Sequence, residues 1–230
     1  MGQLRLEGNP EIDIMTRRSA RARRLSLRVS RLDGRVTLTL PRGVSEREAL
    51  AFAREREGWL RGHLGQLLPE VRVGYGTDLT VLGEALRIMP GDGRRVRREP
   101  GRLLVPHPAT RVGARVKGWL KSTAREAIVG SCDQHAAALG RSFRKVTLRD
   151  TRSRWGSCSS DGDLMLSWRL VLAPPEVLDY VCAHEVAHLA EMNHSPAFWA
   201  EVARLCPPWK GYRDWLRDNG EALHRFRFTD

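Results

Sequence analysis

The residues with the most chemistry in this chain stand close together in Val181-Cys182-Ala183-His184-Glu185-Val186-Ala187-His188. Residues four apart lie about one turn apart on one face of an α-helix, so His184 and His188 can offer two imidazoles to a single ion. Glu185 is rotated by roughly 100° from His184. Its carboxylate then stands beside the ion without taking the same corner, which suits a general base acting on metal-held water. A catalytic zinc takes three protein ligands and keeps a fourth position open. His194 is the candidate third ligand, although on an unbroken helix it would fall ~240° around the axis from His188. The helix must therefore end between them. Asn193 suits the left-handed residue of a helix C-terminus, and Ser195-Pro196 reads as the N-cap and first position of a new helix. Glu201, on that next helix, is the competing third ligand. Glu191, three residues beyond His188 on roughly the same face, either orients a ligand or is a solvated glutamate near the helix end.

The setting favours a ligand. Val177, Leu178, Val181, Cys182, Val186 and Leu189 surround the motif and mark a mostly buried helix. Two imidazoles and a carboxylate placed there without a partner would be costly.

His184-Glu185-Val186-Ala187-His188, followed by Asn193-His194-Ser195-Pro196-Ala197-Phe198-Trp199, resembles the YgjP-like, SprT-related zinc metallopeptidase domain. The runs Arg152-Ser153-Arg154-Trp155-Gly156-Ser157-Cys158-Ser159 and Trp168-Arg169-Leu170-Val171-Leu172-Ala173-Pro174-Pro175 fit the same pattern. The resemblance is loose in the first half of the chain and close from about residue 145 to 217. It implies a zincin-like domain with one zinc ion per chain, held by His184, His188 and His194, with Glu185 as catalytic base. The substrate it implies is a peptide or protein. A metzincin would instead carry glycine three residues after the second histidine, where this chain has Glu191. A further donor to the oxyanion could come from Tyr212, His224 or Arg154.

The elements that must position these residues can be read from periodicity. Leu25-Ser26-Leu27-Arg28-Val29 and Val36-Thr37-Leu38-Thr39-Leu40 alternate around Asp33-Gly34 and predict a β-hairpin. Ser45 and Glu48 form a capping box opening one helix to about Leu68, with Trp59, Leu60 and Leu64 facing inward. A second hairpin is expected at 79–82 and 86–89 around Gly83-Glu84, then strands near 94–98 and 102–105. A long helix should run from about Thr110 to Leu139 and stop at Gly140. Lys145–Arg149 and Leu164–Ser167 read as a hairpin whose edge could pair with an extended substrate. Arg154 and Trp155, between those strands, either contact substrate or pack beneath the active helix. That helix should open at Pro174-Pro175-Glu176, and a final one should span about Tyr212 to Arg225. The expected fold is α+β: a mainly-β N-terminal module with one helix over 1–106, then a zincin-like helical and β-hairpin metallopeptidase domain over 107–230.

Composition bounds the rest. With 230 residues the chain can bury a sizeable core. No apolar run approaches the ~20 residues of a membrane span, and Met1–Glu7 lacks the apolar centre of a signal peptide. A cytoplasmic protein is the expectation. Cys132, Cys158, Cys182 and Cys206 are widely spaced, with no Cys-x-x-Cys, and read as free thiols. The net charge of +12 could favour nucleic acid, acidic proteins or phosphate-bearing substrates. Two rival functions follow from it: a metal-dependent nucleotide phosphohydrolase, or a DNA-associated SprT-like protease or binding module. No glycine-rich phosphate loop supports the first.

Overall fold

Alternating apolar residues give the first part of the chain a sheet with one buried face. The computed structural model describes residues 2–30, 33–108 and 110–229, and the chain divides into two compact units, Met1–Pro69 and Glu70–Asp230. In the first, β1 (Gly2–Leu6), β2 (Ile12–Arg18), β3 (Ser26–Val29) and β4 (Val36–Leu40) form a sheet in the order β1-β2-β4-β3. Its hairpin pairs Leu27 with Leu38, as the alternation predicts. Ile12, Ile14, Val36, Leu38 and Leu40 point into a core closed by Ala49, Ala53 and Leu60.

The helix expected from Ser45 to about Leu68 is two helices, α1 (Glu46–Glu55) and α2 (Glu57–Gly65). The capping box is formed, with Glu48 N–H bonded to Ser45 and the Glu48 carboxylate accepting from Ser45 N–H. The break at Arg56 (φ −101°, ψ 11°) resets the helical phase. Leu60 is buried, but Trp59 is 43% exposed and stacks on His63 with centroids 4.3 Å apart. The inward placement of Trp59 is thereby corrected.

In the second unit, β5 (Val71–Arg72) pairs with β13 (Phe226–Arg227) near the chain's end. A sheet of order β6-β7-β9-β8 follows, built from β6 (Asp78–Val81), β7 (Glu84–Gly91), β8 (Arg97–Glu99) and β9 (Arg102–Pro106). Its first turn is Leu82-Gly83, one residue earlier than expected. The compact units divide at Pro69 rather than at the expected boundary after residue 106. The reason is packing: Leu79, Val81, Leu86, Ile88, Leu103 and Val105 share one core with the helical residues that follow.

Helix α3 (Val112–Leu139) buries Val116, Leu120, Ala124, Ile128, Cys132 and Ala136, a stripe repeating every four residues. Gly140 ends it in the left-handed conformation (φ 69°). Next come β10 (Lys145–Arg149), β11 (Gly156–Cys158) and β12 (Asp163–Ser167), in the order β10-β12-β11. The expected hairpin is corrected here. β10 runs parallel to β12, and the antiparallel partner is the short β11, which forms one edge of the sheet. A 3-10 helix, Trp168–Leu172, leads to α4 (Pro175–Ala187), α5 (Pro196–Leu205), α6 (Trp209–Asn219) and a second 3-10 helix, Gly220–His224. Among the described residues no helix is long and apolar enough to cross a membrane.

Candidate metal centre

Helix α4 carries the motif and is buried on nearly every side, packing on α3, α6 and β11. A side-chain cluster fixes it to α3: the Ser131 hydroxyl (2.6 Å) and His135 Nε2 (2.9 Å) both donate to Asp179 Oδ1. Burial would raise the Asp179 pKa, yet these hydrogen bonds outweigh it and hold the carboxyl below its ordinary value.

The helix ends at His188, earlier than the expected stop near Asn193. Asn193 is not left-handed either, Leu82 being the residue other than glycine with positive φ among those described. It shapes the corner through its side chain instead, Oδ1 accepting from Ser195 N–H at 3.0 Å. Ser195 then caps α5, accepting from Phe198 N–H at 3.3 Å, with Pro196 at the first helical position.

This corner brings His194 back to the motif. His184, His188 and His194 place one ring nitrogen each within 4.8 Å of one another, and Nε2 of His184 lies 3.2 Å from Nε2 of His194. His188 Nδ1 lies 3.0 Å from the carbonyl of Glu191. A carbonyl only accepts, so Nδ1 carries the proton and Nε2 keeps its lone pair. Glu191 thus orients His188 through its backbone; its carboxylate forms no ion pair among the described residues. Burial, followed by the neighbouring imidazoles, pushes His184 down to about 3, and burial lowers His188 as well. Both rings are neutral near pH 7, as metal ligands must be. Nδ1 of His184 is buried with no hydrogen-bond partner. Three converging imidazoles fit a metal ion, and among the described residues no carboxylate or hydroxyl pairs with them. Glu201 is instead bound to Arg204 at 2.7 Å and 2.9 Å and does not join the group.

Glu185 lies beside the cluster and is 5% exposed. Burial pushes its carboxyl up to about 8, against a pull downward from Arg154. Gly156 of β11 packs directly on it: a Cβ at that position would stand 2.4 Å from Glu185 Oε1 and 2.5 Å from its Cγ. The Cys158 thiol is raised to about 11 by burial and then by Glu185, and it stands outside the cluster of three ring nitrogens. The four cysteines are free, as expected. Behind the imidazoles, Phe198 stacks on His188 (4.4 Å between centroids) and meets His184 and His194 edge-on.

Two cavities flank this centre. One of about 400 Å³ reaches His184 and Glu185 and is lined by Arg154, Trp155 and Tyr180. Another, of about 650 Å³, touches His188, Leu189 and Met192. Trp155 packs edgewise over Gly220 and 5.2 Å from the His224 ring, so it both supports the C-terminal segment and walls the cavity. Of the three oxyanion donors considered, Arg154 alone lines the cavity at Glu185. Tyr212 lines a separate groove, with Pro207 and Glu126, and His224 is buried behind Trp155. Sequence reasoning missed Tyr180, whose ring is 6.0 Å from His184. The signal was available: positions 180, 184 and 188 repeat at one helical turn.

A sequence model described as YgjP-like, metallopeptidase domain, matches residues 23–219. Among solved structures, the metallopeptidase zymogen of Pyrococcus abyssi abylysin shares 23% identity with this chain. The alignment covers 40% of this chain and 93% of that one, with a TM-score of 0.38. No curated protein matches.

Proposed function

The chain belongs to the YgjP-like metallopeptidase family and is a metal-dependent peptidase, and on that premise we propose that it hydrolyses peptide bonds with one zinc ion held by His184, His188 and His194. The observation that carries this reading is the meeting of three imidazoles beside a buried carboxyl group. When bound, the ion would acidify a coordinated water toward about pH 7 and polarise the scissile carbonyl. The charge of the bound ion would offset the burial that lifts Glu185 to about 8 and so ionise it. Glu185 would then accept the proton of the attacking water and pass it to the leaving amine. Gly156 lets the backbone of β11 approach Glu185 and fixes where that carboxylate stands. Phe198 and the Glu191 carbonyl hold the rings of the cluster in place. The edge of β11 offers its backbone groups to an extended peptide as one more strand.

Glu185→Gln tests the assignment: the variant should keep its metal and lose hydrolysis of casein, whereas His188→Ala should lose both. Full turnover by Glu185→Gln would remove the base from the mechanism. The nucleotide and nucleic-acid readings have only the arginine content behind them. Phosphate release from nucleoside triphosphates, measured beside casein cleavage on one metal-loaded preparation, separates the first from peptidase action.

A further inference from the structure

The cavity of about 400 Å³ at Glu185 carries an uneven charge. Arg154, Arg213 and Arg217 all line it, and its one carboxylate is Glu185. These guanidinium groups are not equivalent. Arg217 is neutralised by Asp214 (2.7 Å) and Asp218 (3.0 Å). Arg213 lies 3.9 Å from Asp214 and rests on the faces of Trp209 (4.9 Å) and Trp199 (5.7 Å), an arrangement that positions the cation without discharging it. Arg154 is exposed and makes no ion pair among the described residues. The cavity on the His188 side differs: there Arg141 stands with Asp161, one charge of each sign.

Resting on the peptidase reading above, we infer that the cavity beside Glu185 is a substrate subsite for an acidic side chain next to the scissile bond, received by Arg154 and Arg213. A carboxylate of aspartate or glutamate meets a guanidinium in paired charge-assisted hydrogen bonds, which an amide or a lysine cannot make. Trp155, Val181 and Leu216 form apolar walls beside that pair. The volume falls within the ~300–1,000 Å³ of ordinary ligand pockets. The balanced cavity at His188 provides no such preference, so the selectivity belongs to one side of the bond.

The test uses the full metal-loaded chain and matched peptides that differ only in glutamate, glutamine or lysine at each position flanking the cleaved bond. The glutamate peptide should be cleaved with kcat/KM about tenfold above its glutamine twin, the equivalent of one such pair at ~1.4 kcal/mol. The ratio should shrink as salt rises. Arg154→Gln should bring it toward one, and Arg154→Glu should turn the preference toward the lysine peptide. A wild-type ratio of one, or an Arg154→Gln variant that slows both peptides alike, would overturn the subsite and leave the peptidase reading intact. Binding on the Glu185→Gln variant, read by fluorescence anisotropy of labelled peptides, gives the independent arm. If no peptide is cleaved by the wild-type chain, the peptidase reading fails, and tighter binding of the glutamate peptide would still uphold the subsite. Equal binding of the three peptides would sink it.

Discussion

Replacing Gly156 with alanine puts a methyl group 2.4 Å from Glu185 Oε1, 2.5 Å from Cγ and 2.6 Å from Cδ. Ordinary carbon contacts begin near ~3.5 Å, so the carboxylate or the strand must move by about 1 Å. Glu185 has little room to yield, being 5% exposed against β11. A displacement of ~1 Å of a catalytic group can cost about 10²-fold in rate, and that is the loss of kcat expected for Gly156→Ala. Overpacking should also destabilise the fold by about 1–3 kcal/mol, a drop in Tm of roughly 2–12 °C for a chain of this size. The assay is casein or fluorogenic-peptide turnover at saturating zinc, with metal content and thermal unfolding followed on the same samples. Metal content should be unchanged, because the three atoms nearest the new methyl all belong to Glu185. Gly118→Ala is the control: in α3 nothing lies within 4 Å of its added Cβ, and it should leave turnover alone and stabilise by up to ~1 kcal/mol. Gly156→Ala with wild-type kcat and bound metal would refute the placement of Glu185 as base.

Other expectations concern stability. Arg169 is 6% exposed and pairs with Asp150 at 2.6 Å while donating to the carbonyl of Leu223. Asp150→Asn should cost about 1–3 kcal/mol in urea unfolding at pH 7, less than for a fully buried pair because 36% of the Asp150 side chain meets solvent. Burial raises the Asp150 pKa, but Arg169 outweighs it and lowers the value overall. This contribution is therefore present above the ordinary carboxylate pKa and fades as pH falls below about 4. His224 is held down to about 4, first by burial and then by Arg169. Its unfolded value is near 6.5, so the unfolded chain binds the extra proton and stability should decline as pH drops from about 6.5 to 4. Urea midpoints measured at pH 7 and pH 5 should differ less in His224→Gln than in the parent chain; an equal difference would discard this account.

Much of the candidate site is legible in the sequence because helical spacing is short-range and rigid. His184, Glu185 and His188 follow from position alone, and the break that returns His194 is announced by Ser195-Pro196. Asn193 misleads because its side chain, rather than its backbone, makes the turn. The strand that presses on Glu185 is hidden. Gly156-Ser157-Cys158 is too short to show alternation and lies in a loop-like run, although a glycine at close backbone approach is a known mark of such contacts. Trp59 is misjudged because periodicity was carried across a helix break that Arg56 imposes. The extent of the second core is non-local: nothing in 78–106 alone reveals that its buried face is covered by α3.

The most direct test of the central claim is zinc-edge X-ray absorption on the zinc-loaded chain, compared with its His194→Ala variant. Three imidazole nitrogens at about 2.0–2.1 Å with solvent oxygen completing the shell, and the loss of one imidazole in the variant, is the predicted result. A shell closed by a fourth side chain, or one unchanged by removal of His194, would contradict it.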